Sequence, residues 1–80
     1  MDRSEVEKKV KETIAKVLNV DAATVKPESN FVFDLGADSQ QSIELIAAFE
    51  ETFGVEMDEE AALGVQDVGA AVDFIHKLTS

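Results

Sequence analysis

Apolar residues return at intervals of three and four along three separate stretches of this 80-residue chain, and no stretch alternates apolar with polar. Val6, Val10, Ile14, Val17 and Leu18 form one stripe. Ile43, Leu45, Ile46, Phe49 and Phe53 form a second, and Val68, Ala71, Val72, Ile75 and Leu78 a third. That spacing puts each set on one face of an α-helix, and such a face must be buried against another element. With no strand pattern, the expected class is all-α: a small four-helix bundle, three longer helices plus one short helix, with a long first loop. So short a chain does not divide into two cores, so residues 1–80 are read as a single domain.

Capping residues place the boundaries. The first helix is expected over Ser4 to Leu18, with Ser4 and Glu7 as a capping box. Glu5/Lys9, Glu7/Lys11 and Glu12/Lys16 are spaced for i, i+4 pairing, and Asn19 and Asp21 are placed to end the helix. Asn19 to Asp38 holds Pro27 and Ser29-Asn30, which disfavour helix. Val20, Val25, Phe31, Phe33 and Leu35 are expected to anchor that loop on the core. The second helix is expected over Asp38 to Phe53, with Asp38 as N-cap, Gln41 at the capping-box spacing and Gly54 just past its end. Asp58 to Leu63 is at most a short helix stopped by Gly64. Asp67 caps the last helix, which runs to Leu78 and carries Gly69 in its first turn at a cost of about 1 kcal/mol relative to alanine.

Charge narrows the function. The chain has 17 acids and 7 bases, a formal net charge of −10. The bases lie at Arg3, Lys8, Lys9, Lys11, Lys16, Lys26 and Lys77, and none falls between Pro27 and His76. Every charged residue in that interval is an acid. Such a surface repels nucleic acid and attracts basic protein faces. There is no cysteine, which excludes disulfides, thiolate metal sites and cysteine nucleophiles. No apolar run is long enough to span a membrane, and the polar start Met1-Asp2-Arg3-Ser4-Glu5 is unlike a leader, so the cytoplasm is the expected location. A core this small leaves a net stability of about 3–5 kcal/mol, which suits binding better than the rigid geometry of catalysis.

Catalytic patterns are missing. Ser39 has no G-x-S-x-G setting, and His76, the one histidine, lies at the far end of the last helix, where a cation is favoured by the helix dipole. There is no EF-hand loop and no phosphate-binding glycine motif. Neither an enzyme nor a metal site is expected; weak adventitious divalent binding at Glu56, Asp58, Glu59 and Glu60 is the most the acids offer. What remains is Ser39 at the first position of the second helix, where free N–H groups and the dipole favour an anion. By residue type alone it reads first as an ordinary cap-region serine.

The stretch Asp34-Leu35-Gly36-Ala37-Asp38-Ser39 resembles the phosphopantetheine attachment motif of acyl carrier proteins, D-L-G-A-D-S. The similarity extends along the chain. Phe31-Val32 precedes the motif as in F-V-x-D-L-G. Ile43-Glu44-Leu45 is similar to V-E-L, Phe49 to Gly54 to L-E-E-x-F-G, and Val72-Asp73-Phe74-Ile75 to I-D-Y-I. The resemblance implies a four-helix carrier that is not an enzyme. It implies that a phosphopantetheinyl transferase moves 4′-phosphopantetheine from coenzyme A onto Ser39. Asp38 and Gly36 then belong to the attachment site, Asp38 matching a family residue near the transferase and its magnesium. Acyl groups would ride as thioesters on the arm between acyl-transferring and acyl-modifying enzymes of fatty acid, polyketide or related lipid biosynthesis.

By the same resemblance, Asp34, Asp38, Gln40, Gln41, Glu44, Glu50, Glu51 and Glu56 fall where basic partner surfaces dock. Ile43, Leu45, Ile46, Phe49, Ala62, Val65 and Val72 are candidates for the acyl pocket and core. A free-standing monomer is expected, from the initial Met1 and the four-helix length. Two positions depart from the pattern: Gln40 replaces a leucine and Gln41 an acid, so a specialised carrier is expected and not a housekeeping one. Thr52 also replaces an acid, and Asp58 a proline. The alternative is an acidic helical interaction module that kept the fold without the carrier role.

Overall fold

The computed structural model describes residues 2–79. Four α-helices follow in order: α1 over Arg3–Leu18, α2 over Ser39–Phe53, α3 over Glu59–Leu63 and α4 over Val68–Thr79. A single 3₁₀ turn at Ala22–Thr24 interrupts the long first loop. No strand forms among the described residues; the nearest approach is an isolated bridge between Asn30 and Asp67. α1 packs against both α2 and α4, and the short α3 lies against α2.

The stripes become the core. Val6, Val10 and Ile14 of α1, Leu45, Ile46 and Phe49 of α2, and Val68, Ala71, Val72 and Ile75 of α4 are buried. Each fully buried Val, Ile, Leu or Phe contributes about 1.5–3 kcal/mol by leaving water. Val17, Leu18 and Phe53 are partly buried against this cluster. The stripe of α4 outruns it: the buried set ends at Ile75, and Leu78, expected inside, is 42% exposed.

The helix ends use the expected caps in all but one place. Asn19 ends α1 in the left-handed conformation at φ 56°, and Gly54 ends α2 at φ 65°. Asp58 Oδ1 accepts the Glu60 amide at 3.1 Å and Asp67 Oδ1 the Ala70 amide at 2.7 Å. The expected Ser4–Glu7 capping box does not form. α1 begins one residue earlier, at Arg3, whose guanidinium pairs with Asp73 of α4. Asp2 therefore takes the extended N-cap position, and Ser4 lies inside the first turn, where a side chain cannot cap it. Glu7 instead pairs with Lys11 at 3.0 Å, the one of the three expected i, i+4 pairs that closes among the described residues.

The long loop is held by both chemistry and packing. Val25 and Phe31 are buried, and Val20 and Leu35 are partly buried, as anchors. Phe33 is not: it is 87% exposed. Residues 31–35 form a tight turn, and Asn30 Oδ1 accepts the amides of Val32 and Phe33 at 2.9 and 3.0 Å. Capped in that way, the turn sends Phe31 and Leu35 inward and leaves Val32 and Phe33 outside.

Candidate functional site

Ser39 is the first residue of α2 and is exposed. The approach to it is set by Gly36, whose φ of 73° is the left-handed region that disfavours a side chain. Ala37 follows, buried, with its amide on Phe31 O at 2.8 Å. The chain therefore reaches Ser39 already clamped to the core.

The head of α2 is closed by a reciprocal pair. Asp38 Oδ1 accepts the Gln41 amide at 2.8 Å, and Gln41 Oε1 accepts the Asp38 amide at 3.2 Å. Ser42 Oγ donates to Asp38 O at 3.0 Å. The Ser39 hydroxyl makes no hydrogen bond among the described residues. The amides of Ser39 and Gln40 have no acceptor within the helix, as for any first turn. There is no acid in that turn, so the positive end of the dipole is opposed only by the Asp38 carboxylate. An exposed, unbonded hydroxyl beside two free N–H groups suits a phosphodiester on Ser39.

Ser39 lies in a surface groove lined by Val32, Ala37, Asp38, Ser42, Ile43 and Leu63. Next to it is an almost wholly apolar crevice between α2, α3, α4 and the first loop. Its walls are Phe31, Ser42, Leu45, Ile46, Phe49, Met57, Ala62, Leu63, Val65, Ala71 and Phe74. Ser42 and Leu63 line both, so the groove at Ser39 adjoins the crevice. The free volume within it is about 40 Å³. A single water needs about 10–15 Å³ on that measure, so the crevice is narrow and has room for only a few waters.

Of the residues expected in the pocket, Leu45, Ile46, Phe49, Ala62 and Val65 line the crevice. Ile43 does not: it is 49% exposed and lines the groove beside Ser39. Val72 is buried in the core behind. Sequence reasoning missed Phe31, Ser42, Met57, Leu63, Ala71 and Phe74 as walls of the crevice. They come from five segments, and no local spacing marks them as neighbours.

The expected docking positions divide. Gln40, Glu44, Glu51 and Glu56 are exposed, with Glu44 and Glu51 on a groove shared with α1. Asp34, Asp38, Gln41 and Glu50 also hold backbone. Asp34 Oδ2 accepts the Asn30 amide at 2.6 Å, and Glu50 Oε2 the Met57 amide at 2.9 Å. Among the described residues no three acidic or histidine side chains converge as a cation site, and no helix is long and apolar enough to cross a membrane.

Comparison with known proteins agrees with this geometry. The family model for the phosphopantetheine attachment site matches residues 8–75. Among solved structures, a Mycobacterium tuberculosis protein assigned as an acyl carrier protein superposes with a TM-score of 0.84. It is 25% identical, over 90% of this chain and 96% of that one. Proteins of this kind are carriers and not enzymes, and their covalent group is 4′-phosphopantetheine. A four-helix chain with its serine free at the head of α2, matched across most of its length, is a member of the phosphopantetheine-attachment family of acyl carrier proteins.

Proposed function

We propose that residues 1–80 act as one carrier domain and that Ser39 is the residue that takes the phosphopantetheine. The observation that carries this is the Ser39 hydroxyl, exposed and unbonded at the start of α2 within Asp34-Leu-Gly-Ala-Asp-Ser39, in a groove that adjoins an apolar crevice. In loading, the Ser39 oxygen forms a bond to the phosphorus that bears the pantetheine, and the pyrophosphate P–O bond of coenzyme A breaks. Adenosine bisphosphate leaves, and the hydroxyl proton passes to a base of the transferase. The bound group supplies the thiol that this chain lacks, on which acyl groups are held as thioesters.

The chain's own residues do the rest. Asp38 and Gln41 hold the first turn of α2 so that Ser39 faces outward. Leu63 and Ser42 stand at the neck between groove and crevice, and displacement of the five-residue α3 would widen it. Leu45, Ile46, Phe49 and Phe74 offer the acyl chain a surface out of water. Acids without interspersed bases draw in partners with basic faces, the transferase first and then enzymes that transfer or modify the acyl group. Gln40 and Gln41 remove an apolar contact and a charge beside the serine, which supports a specialised carrier in a dedicated lipid or polyketide route.

Intact mass tests the central point. Incubated with coenzyme A and a broad-specificity phosphopantetheinyl transferase, the protein should gain about 340 Da, the mass of the group, and Ser39→Ala should not. An unchanged mass of the native sequence would favour the non-carrier interaction module.

A further inference from the structure

Val32, Phe33, Ile43 and Leu63 are 54%, 87%, 49% and 47% exposed. Val32, Ile43 and Leu63 line the groove that holds Ser39, and Phe33 directly follows Val32. Three large apolar side chains on the groove of Ser39, with the exposed Phe33 on the same turn as Val32, are the kind of exposed patch that marks a binding face. We propose that Phe33 is the aromatic anchor through which the transferase that loads Ser39 grips this chain. The proposal rests on Ser39 being the attachment residue.

Three observations select that occupant. The transferase must bring its reacting groups to the Ser39 hydroxyl itself, so its surface closes over the groove of Val32, Ile43 and Leu63. Gln40, the residue after Ser39, is exposed and polar, so the apolar contact is offered from the loop side of the serine. Asp34 and Asp38 flank the patch, and no Lys or Arg lies between Pro27 and His76. The complementary face is therefore an apolar socket rimmed by basic residues, the arrangement in which an aromatic side chain dominates binding.

Phe33 is also held ready. Asn30 Oδ1 accepts its amide at 3.0 Å and that of Val32 at 2.9 Å, and Asp34 Oδ2 accepts the Asn30 amide at 2.6 Å. The Gly36 amide closes the turn on Val32 O at 3.2 Å. A backbone already ordered loses little entropy when the ring is covered.

The test is loading kinetics on the full chain with coenzyme A and a purified broad-specificity transferase, followed by intact mass. Phe33→Ser should raise the KM for the carrier about tenfold, as loss of an aromatic anchor does. It should leave kcat and Tm unchanged, and Phe33→Leu should recover most of the loss. An unchanged KM for Phe33→Ser overturns the anchor, as does a fall in kcat that accompanies a lower Tm. So does a wild-type dimer in sedimentation that Phe33→Ser dissolves without altering loading, since a second copy would then be the occupant. If the wild-type chain gains no mass at all, the attachment reading fails with it. Loading that ignores Phe33 sinks only the anchor.

Discussion

Asn30 and Asp67 face each other in an isolated antiparallel bridge, which fastens the loop leading to Ser39 onto the head of α4. The Phe31 amide donates to Gln66 O and the Val68 amide to Ser29 O, each at 3.0 Å. The Gly69 amide adds a third bond, to Pro27 O at 2.8 Å. The site serine is thus positioned from a distant part of the chain.

This close approach explains a glycine in the first turn of α4. A Cβ on Gly69 would stand 3.2 Å from Pro27 O, a backbone atom. Glycine to alanine within a helix normally gains about 1 kcal/mol. Here Gly69→Ala is expected to gain nothing or to destabilise, because the loop must retreat. Urea unfolding measures it; a midpoint raised by the whole propensity gain would mean that the loop yields freely.

The reciprocal bonds between Asp38 and Gln41 make a second prediction. Asp38→Ala should cost about 1 kcal/mol of stability, which lowers Tm by roughly 4–8 °C in a domain of this size. Asp38→Asn keeps an acceptor for the Gln41 amide and should lose less. Thermal unfolding followed by circular dichroism reads both, and equal melting of Asp38→Ala and wild type would show that the cap carries no weight.

Filling the crevice should separate cargo binding from folding. Ala62 is buried in its wall on α3. A medium-length acyl chain on the arm is expected to raise Tm over the unacylated form, because a ligand that prefers the folded state stabilises it. Ala62→Leu occupies the same space and should shrink that increment by more than half. An undiminished increment would place the acyl chain elsewhere.

The flank of the serine gives a fourth test. Gln40 is exposed, so Gln40→Leu should leave Tm within about 0.5 kcal/mol equivalent of wild type, as surface changes do. Combined with Gln41→Asp, it should speed turnover by fatty acid synthase enzymes several-fold. If those enzymes treat the double variant and the wild type alike, the specialised-carrier reading loses its main support.

Much of the architecture was legible because its causes are local. A stripe at helical spacing depends on residues one turn apart, so Val6, Val10 and Ile14, or Val68, Val72 and Ile75, announce a buried face without knowledge of what buries it. Asp38, Asp58 and Asp67 cap the helices that begin beside them, through bonds spanning two or three residues. The motif around Ser39 was contiguous and could be read directly. At one end the local reading fails: Ser4 and Glu7 have the spacing of a capping box, yet the helix starts at Arg3 and Ser4 lies inside its first turn.

By itself, then, the order of residues determined the helices, most of their ends, the acidic run and the serine that heads α2. Only the tertiary structure decided that Phe33 stands in solvent while Phe31 is buried, that Ile43 borders the serine, and that Phe31, Met57, Leu63 and Phe74 meet around one crevice. Periodicity reports which face of a segment is apolar. Burial depends on which other segments arrive to cover that face, and that is settled by packing between parts of the chain remote from one another.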